Sequence, residues 1–177
     1  MTANNGLDYI EECVRTLYKA RYAHIEAQAG CVLWAEATRQ VLREQLGIQS
    51  FLQAGTANWP IIPDDLDDGV CCTHFGYVFE KDVAFQRFNQ GLLPELHAWV
   101  VVPEHEEIID LTTGYQPLQC KRMIGKEFHP RVLPPSYLWC KWNNLPDGWR
   151  YRADPIATAM ASLLIQKERT EREALCQ

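Results

Sequence analysis

Apolar residues recur every three or four positions over the first part of the chain, which is the spacing of one face of an amphipathic helix. Residues 7–27 follow this pattern, with charged residues between the apolar ones. The pattern resumes at Cys31 and ends before Gly47, a suitable helix stop because glycine adopts a positive φ at little cost. The sequence therefore predicts two helices, with Cys31 in the first turn of the second.

Beyond Gly47 the chain changes to runs of β-branched and aromatic residues between Gly, Pro and Asp clusters, a pattern typical of strands. The runs predicted as strands cover residues 48–54, 70–79, 96–102, 107–111, 137–142 and 149–152. A closing helix is predicted at about residues 154–170, and its polar tail, 167–173, is expected to fray. Helices followed by antiparallel strands indicate an α+β fold, with helices packed against an antiparallel sheet in one domain of residues 1–177.

Composition restricts the partners and the compartment. The chain has a net charge of −6, so clustered basic residues that would track nucleic-acid phosphates are not expected. No apolar run approaches the ~20 residues that cross a bilayer, which predicts a soluble protein without a membrane partner. Seven cysteines and an N-terminus unlike a signal peptide favour the reducing cytoplasm. The oligomeric state is left open.

Three residues in the order Cys31, His97 and Asp110 have the chemistry of a nucleophilic cysteine site. A helix N-terminus stabilises a thiolate, an imidazole takes the thiol proton, and a carboxylate orients the imidazole. With a hairpin turn centred between residues 103 and 104, His97 and Asp110 would lie directly opposite each other. Each residue alone has an ordinary structural interpretation, but their combination favours catalysis.

Three motifs resemble the core motifs of the transglutaminase-like cysteine enzyme superfamily, which has a papain-like core: GCVLWAEATRQVLREQLGI, LHAWVVV and IIDLTTGY. The resemblance covers residues 30–115. It implies Cys31 as nucleophile, His97 as general acid and base, and Asp110 as the orienting carboxylate. The implied reaction is cofactor-free hydrolysis of a peptide, protein or small amide through a thioester on Cys31. Acyl transfer, transglutamination and deamidation use the same triad and remain alternatives.

The resemblance does not settle the oxyanion donors. The backbone N–H of Cys31 is one expected donor, and Gln28 and Trp59 are side-chain candidates that also have structural interpretations. A non-catalytic binding protein that retains the fold is a further hypothesis.

A zinc module is the third hypothesis, because Cys71 and Cys72 lie next to His74, with Cys120 or Cys140 to complete a site. The paired C-x₂₋₄-C spacing of structural zinc sites is missing, so no metal is predicted. The chain also has six tryptophans. The indoles at 34 and 99 are expected in the core, and a core role is favoured over a substrate wall for those at 139, 142 and 149.

Overall fold

A computed structural model describes residues 3–25, 30–66, 69 and 72–175. Over these ranges the chain forms five α-helices: α1 Ala3–Tyr22, α2 Cys31–Leu46, α3 Lys81–Asn89, α4 Gln116–Ile124 and α5 Pro155–Leu175. It also forms six strands: β1 Phe51–Pro60, β2 His74–Tyr77, β3 His97–Val102, β4 Glu107–Asp110, β5 Leu138–Lys141 and β6 Arg150–Ala153. The α+β class predicted from the sequence is confirmed. None of the helices within these ranges is long and apolar enough to cross a bilayer.

The six strands form one antiparallel sheet in the order β2-β1-β3-β4-β5, and β6 also pairs with β1. Strand β1 pairs with three strands along its length, and Gly55 is its partner for both His97 of β3 and Ala153 of β6. A side chain at Gly55 would overlap the carbonyl oxygen of Arg152, so the close approach of β6 requires glycine here. The start of β3 is thereby placed at the centre of the sheet.

Both faces of the sheet are covered. Because successive strand residues point to opposite faces, β3 directs Ala98 and Val100 toward the core formed with α1, α2 and α5. The alternate residues, His97, Trp99 and Val101, lie on the other face, where Trp99 and Val101 join an aromatic cluster. All six residues of β3 are buried. The candidate histidine therefore begins a strand that is shielded from water on both sides.

The hairpin between β3 and β4 differs from the predicted one. Its pairs include Val102 with Glu107 and Val100 with Ile109, a register shifted by two residues from the expected one. The reason is a longer loop: a 3₁₀ turn begins at Pro103, and Glu106 adopts a left-handed φ of 55° while its N–H donates to the Pro103 carbonyl. A shift of two keeps every side chain on its face, so His97 and Asp110 become diagonal neighbours instead of direct partners.

The C-terminal tail also differs from the prediction, because it stays helical to the end of α5. Two of the polar side chains that suggested fraying have ionisable partners outside α5. Arg169 forms an ion pair with the buried carboxylate of Glu36 on α2, and Glu168 lies 3.1 Å from the ring of His24. The sequence also failed to predict α3 and α4. Each is a short helix with most of its residues exposed, so it lacks a long apolar face.

Candidate active site

Helix α2 begins at Cys31, as the sequence predicts. The first backbone N–H groups of a helix have no intrahelical partner, and Gly30 at the N-cap offers no capping side chain. Glycine leaves room there for the buried hydroxyl of Tyr18, which a Cβ at residue 30 would overlap. The half-buried thiol of Cys31 lies 4.0 Å from the carbonyl oxygen of Leu96, which brings it to the start of β3.

His97 and Asp110 form a buried pair. The His97 Nε2 lies 2.7 Å from Asp110 Oδ2, and the two residues are 0% and 2% exposed. Because an ionised carboxylate can only accept hydrogen bonds, Nε2 carries a proton. Nδ1 is also buried, and it has no well-aligned hydrogen bond among the described residues. Nδ1 is therefore the nitrogen left for the neighbouring Cys31 thiol.

The surroundings of His97 favour its charged form. Burial alone would lower the pKa of His97, but the charge and hydrogen bond of Asp110, together with the thiol of Cys31, raise this pKa to about 10. The thiol can contribute because Cys31 Sγ lies 4.0 Å from the carbonyl oxygen of Leu96, the residue before His97.

Asp110 has a complete set of hydrogen-bond donors. Its Oδ2 accepts from His97 and from the Tyr151 hydroxyl, at 2.7 and 2.8 Å. Its Oδ1 accepts from the backbone N–H and the side-chain hydroxyl of Thr112, at 2.9 and 2.6 Å. Burial alone would raise the pKa of Asp110, but His97 and Thr112 lower it below the usual value. The carboxylate therefore stays ionised although it is buried.

Aromatic rings enclose the imidazole of His97. Tyr77 stacks on it with ring centroids 5.4 Å apart and an interplanar angle of 16°. Trp59 contacts it edge-on at 5.2 Å, and Trp99 lies nearly parallel to it at 6.3 Å. Burial, with further contributions from Cys31 and other neighbouring acidic groups, raises the pKa of the Tyr77 hydroxyl. The rings restrict the imidazole to one orientation and exclude water from its faces.

The two predicted side-chain oxyanion donors have different outcomes. Gln28 lies outside the described residues. Trp59 is fully buried, and its indole N–H donates to the Tyr151 hydroxyl at 3.3 Å. An oxyanion role for Trp59 stays a prediction, and it would require the indole to leave this partner.

Sequence reasoning missed two residues that contact the carboxylate. Thr112 follows Asp110 by two positions, and a short hydroxyl side chain at that spacing often bonds a neighbouring group, so a local signal existed. Tyr151 lies 41 residues beyond Asp110, on a strand that pairs with neither β3 nor β4. No local pattern in the sequence connects Tyr151 with the site.

The cysteines considered for zinc do not form a metal-binding cluster among the described residues. Cys71 lies outside the described residues. The His74 ring contacts the neighbouring Thr73 hydroxyl at 2.9 Å, and Cys120 is fully buried in the aromatic cluster. Within the described part of the chain, no group of three or more His, Cys, Asp or Glu residues could hold a metal ion.

The tryptophans outside the three motifs have different environments. Trp149 belongs to the aromatic cluster, and Trp139 is half-buried, with its indole N–H donating to Glu107 at 3.0 Å. Trp142 is 45% exposed. The core prediction is therefore correct for Trp149, partly correct for Trp139 and wrong for Trp142.

Two cavities flank the N-terminus of α2. One has a volume of about 200 Å³ and is lined mainly by apolar side chains, including Val32, Leu33 and Leu93. The other has a volume of about 320 Å³ and is lined by Tyr18, Trp34 and other residues. Cys31, His97 and Asp110 are not among the residues that line these two cavities.

The sequence matches no protein-family model, and comparisons with curated proteins and with solved structures give no match either.

Proposed function

We propose that this protein is a cysteine-dependent acyl enzyme with a transglutaminase-like, papain-like core. Cys31 is the nucleophile, His97 is the general acid and base, and Asp110 orients the imidazole. One observation carries the proposal: the buried His97–Asp110 pair uses Nε2, and Nδ1, near the thiol that begins α2, has no well-aligned hydrogen bond in the described part of the chain. A histidine with a purely structural role would be expected to use both ring nitrogens when it is fully buried.

The charges in the site support a thiolate–imidazolium pair. Burial lowers the pKa of His97, but Asp110 outweighs burial and raises the pKa to about 10. The ring is therefore a cationic imidazolium, with protons on both nitrogens, at neutral pH. A cationic imidazole stabilises a thiolate beside it. The N-terminus of α2 adds roughly 0.3 to 1 kcal/mol to the stability of an anion at Cys31.

The proposed reaction proceeds through a thioester. In the thiolate–imidazolium pair the proton of the Cys31 thiol is already on His97 Nδ1, so the thiolate sulfur forms a bond with the acyl carbon of the substrate while the carbonyl π electrons move to oxygen. The tetrahedral intermediate then collapses, and the leaving amine departs with the proton from Nδ1. Water attacks the thioester while Nδ1 takes its proton, and collapse releases the acid and returns the proton to Cys31. Asp110 holds Nε2–H throughout these steps.

Hydrolysis of an amide or related acyl group is the reaction we favour, with a peptide, a protein or a small amide as substrate. An amine that replaces water at the thioester would give acyl transfer with the same residues. We also propose a reducing cytoplasmic location. Five cysteines in the described part of the chain are free thiols, as expected in a reducing compartment: Cys13, Cys31, Cys72, Cys120 and Cys140.

Acylation by p-nitrophenyl acetate tests the proposal without knowledge of the natural substrate. The wild-type protein is expected to release p-nitrophenolate in a burst and to carry the acetyl group on Cys31, as shown by peptide mass mapping. Hydroxylamine should remove this group as the hydroxamate. The Cys31→Ser variant should lose the burst, whereas Cys13→Ser, which changes a half-buried thiol on α1, should keep it.

A uniform distribution of acetyl groups over the cysteines would contradict an activated Cys31. It would favour the binding protein that retains the fold without turnover. If the burst is present, adding glycinamide distinguishes the two reactions. Formation of acetate alone indicates hydrolysis, and formation of N-acetylglycinamide indicates transfer.

A further inference from the structure

The hydroxyl of Tyr151 links the aromatic cluster to the candidate site. It donates to Asp110 Oδ2 at 2.8 Å and accepts from the Trp59 indole N–H at 3.3 Å. An indole N–H can only donate and an ionised carboxylate can only accept, so the single hydroxyl proton must point toward Asp110. The chain of hydrogen bonds therefore runs in one direction, from Trp59 through Tyr151 to Asp110.

The side chain of Tyr151 is held in place independently of this hydrogen bond. Its backbone pairs with Ala57 of β1. Its ring packs against Trp99 at 5.1 Å and against His97 at 6.1 Å. The strand pairing and the contact with Trp99 do not involve Asp110, so the Tyr151 hydroxyl is positioned as a donor before the carboxylate bonds to it.

We infer that Tyr151 is a positioning residue of the candidate site, which keeps the Asp110 carboxylate in the orientation that bonds His97 Nε2 and leaves Nδ1 to Cys31. The inference rests on the proposed function. Thr112 donates twice to Oδ1, while Tyr151 and His97 share Oδ2. Rotation of the carboxylate would break bonds at both oxygens. Loss of the Tyr151 donor leaves Oδ2 bound by His97 alone and makes rotation easier.

A positioning role and a purely structural role predict different pH dependences for the reactivity of Cys31. Near pH 6.5 a thiolate forms only with help from a well-oriented imidazolium. Near pH 9.5 an ordinary cysteine ionises without help. Loss of positioning should therefore slow the reaction at the lower pH and leave it nearly unchanged at the higher one.

The experiment measures alkylation of Cys31 by iodoacetamide in wild type, Tyr151→Phe and Tyr137→Phe, with the modified residue followed by peptide mapping. Tyr137 is the matched control because its hydroxyl also donates to a carboxylate, Asp8, at 3.0 Å, but on the exposed surface. Near pH 6.5 we expect Tyr151→Phe to react roughly tenfold more slowly than wild type, as for loss of one hydrogen bond to a charged group. Near pH 9.5 the rates should differ by less than about twofold.

Equal rates for Tyr151→Phe and wild type at both pH values would overturn the inference. A change of the same factor at both pH values would also overturn it, because altered access to Cys31 acts at any pH. If Tyr151→Phe does not fold, Trp59→Phe is used instead, because it removes the donor to the Tyr151 hydroxyl. Alkylation of Cys31 should then slow by less than about tenfold near pH 6.5 and should not slow near pH 9.5. A wild-type Cys31 that reacts no faster than Cys13 near pH 6.5 would refute the proposed function instead.

Discussion

Replacing Asp110 by Asn changes the charge of the buried pair while preserving its shape. If the amide oxygen keeps its two bonds to Thr112, the amide nitrogen must face the donors of His97 and Tyr151. His97 can relieve its conflict only by giving up the Nε2 proton, which places the remaining proton on Nδ1. Asp110→Asn is therefore expected both to destabilise the fold and to prevent His97 from accepting the thiol proton of Cys31.

The pKa of His97 gives the size and the pH dependence of the effect on stability. Burial lowers this pKa, but Asp110 raises it to about 10, from 6.5 for an ordinary histidine. Below pH 6.5 the folded and unfolded chains both hold the proton, so the full stabilisation is present. It falls by about 1.4 kcal/mol per pH unit above 6.5 and is lost as the pH rises through 10. The difference between the two pKa values corresponds to about 5 kcal/mol of stability. This is close to the roughly 3–5 kcal/mol that breaking a buried ion pair costs.

The stabilisation that comes from Asp110 has the opposite pH dependence, because it is lost at low pH. The pKa of Asp110 lies below its ordinary value of 3.8, because His97 and Thr112 outweigh the effect of burial. Its stabilisation is present above pH 3.8 and is lost as the pH falls through the folded pKa. The difference in unfolding free energy between wild type and Asp110→Asn should therefore be largest from about pH 4 to 6.5.

Urea unfolding followed by tryptophan fluorescence at pH 6, 8 and 9.5 measures this difference. We expect about 3–5 kcal/mol at pH 6, with a clear decline at each higher pH. Asp65→Asn is the matched control, since Asp65 pairs with Arg131 on the surface and its loss should cost at most about 1 kcal/mol. A difference that stays constant from pH 6 to 9.5 would refute the assignment of the stabilisation to a charged His97–Asp110 pair.

Three further substitutions test the local geometry. Gly30→Ala should lower the free energy of unfolding by about 1–3 kcal/mol because the new methyl group overlaps the Tyr18 hydroxyl; thermal unfolding should show that adding Tyr18→Phe restores most of the loss, and no restoration would disprove the clash. Thr112→Val removes the hydroxyl bond to Asp110 and should cost about 1.5–3 kcal/mol in urea unfolding; an unchanged stability would contradict this. Gly47→Ala should cost about 1 kcal/mol, because Gly47 ends α2 with a φ of 65°, and a stabilised variant would exclude strain there.

The fold was predictable where local pattern decides structure. The helical periodicity and the glycine stop gave the bounds of α2, Cys31–Leu46, correctly. The positions of β3 and β4 were also correct to within a residue. The length of the hairpin loop was not predictable, because the left-handed conformation of Glu106 has no clear signal in a residue that rarely adopts it. The helical tail of α5 was missed because its partner Glu36 lies on another helix.

The residues of the candidate site were likewise predictable only in part. Cys31, His97 and Asp110 could be selected from the sequence, because residue type and position within an element already restrict their chemistry. The relation between His97 and Asp110 followed from alternation along the strands, which survives a register error of two residues. The donor Tyr151 could not be found, since its strand reaches the site only through pairing with β1.

The sequence by itself therefore determined where α2, β3 and β4 begin and which faces their residues occupy, because both depend on periodicity among near neighbours. Only the tertiary structure decided which atoms meet: Nε2 of His97 on Asp110, and the hydroxyl of Tyr151 on the same carboxylate oxygen. These contacts join strands that are distant in sequence. Their geometry is set by strand pairing and by the packing of Trp59, Tyr77 and the other rings around the imidazole. Such packing depends on the whole chain, so no local sequence pattern predicts it.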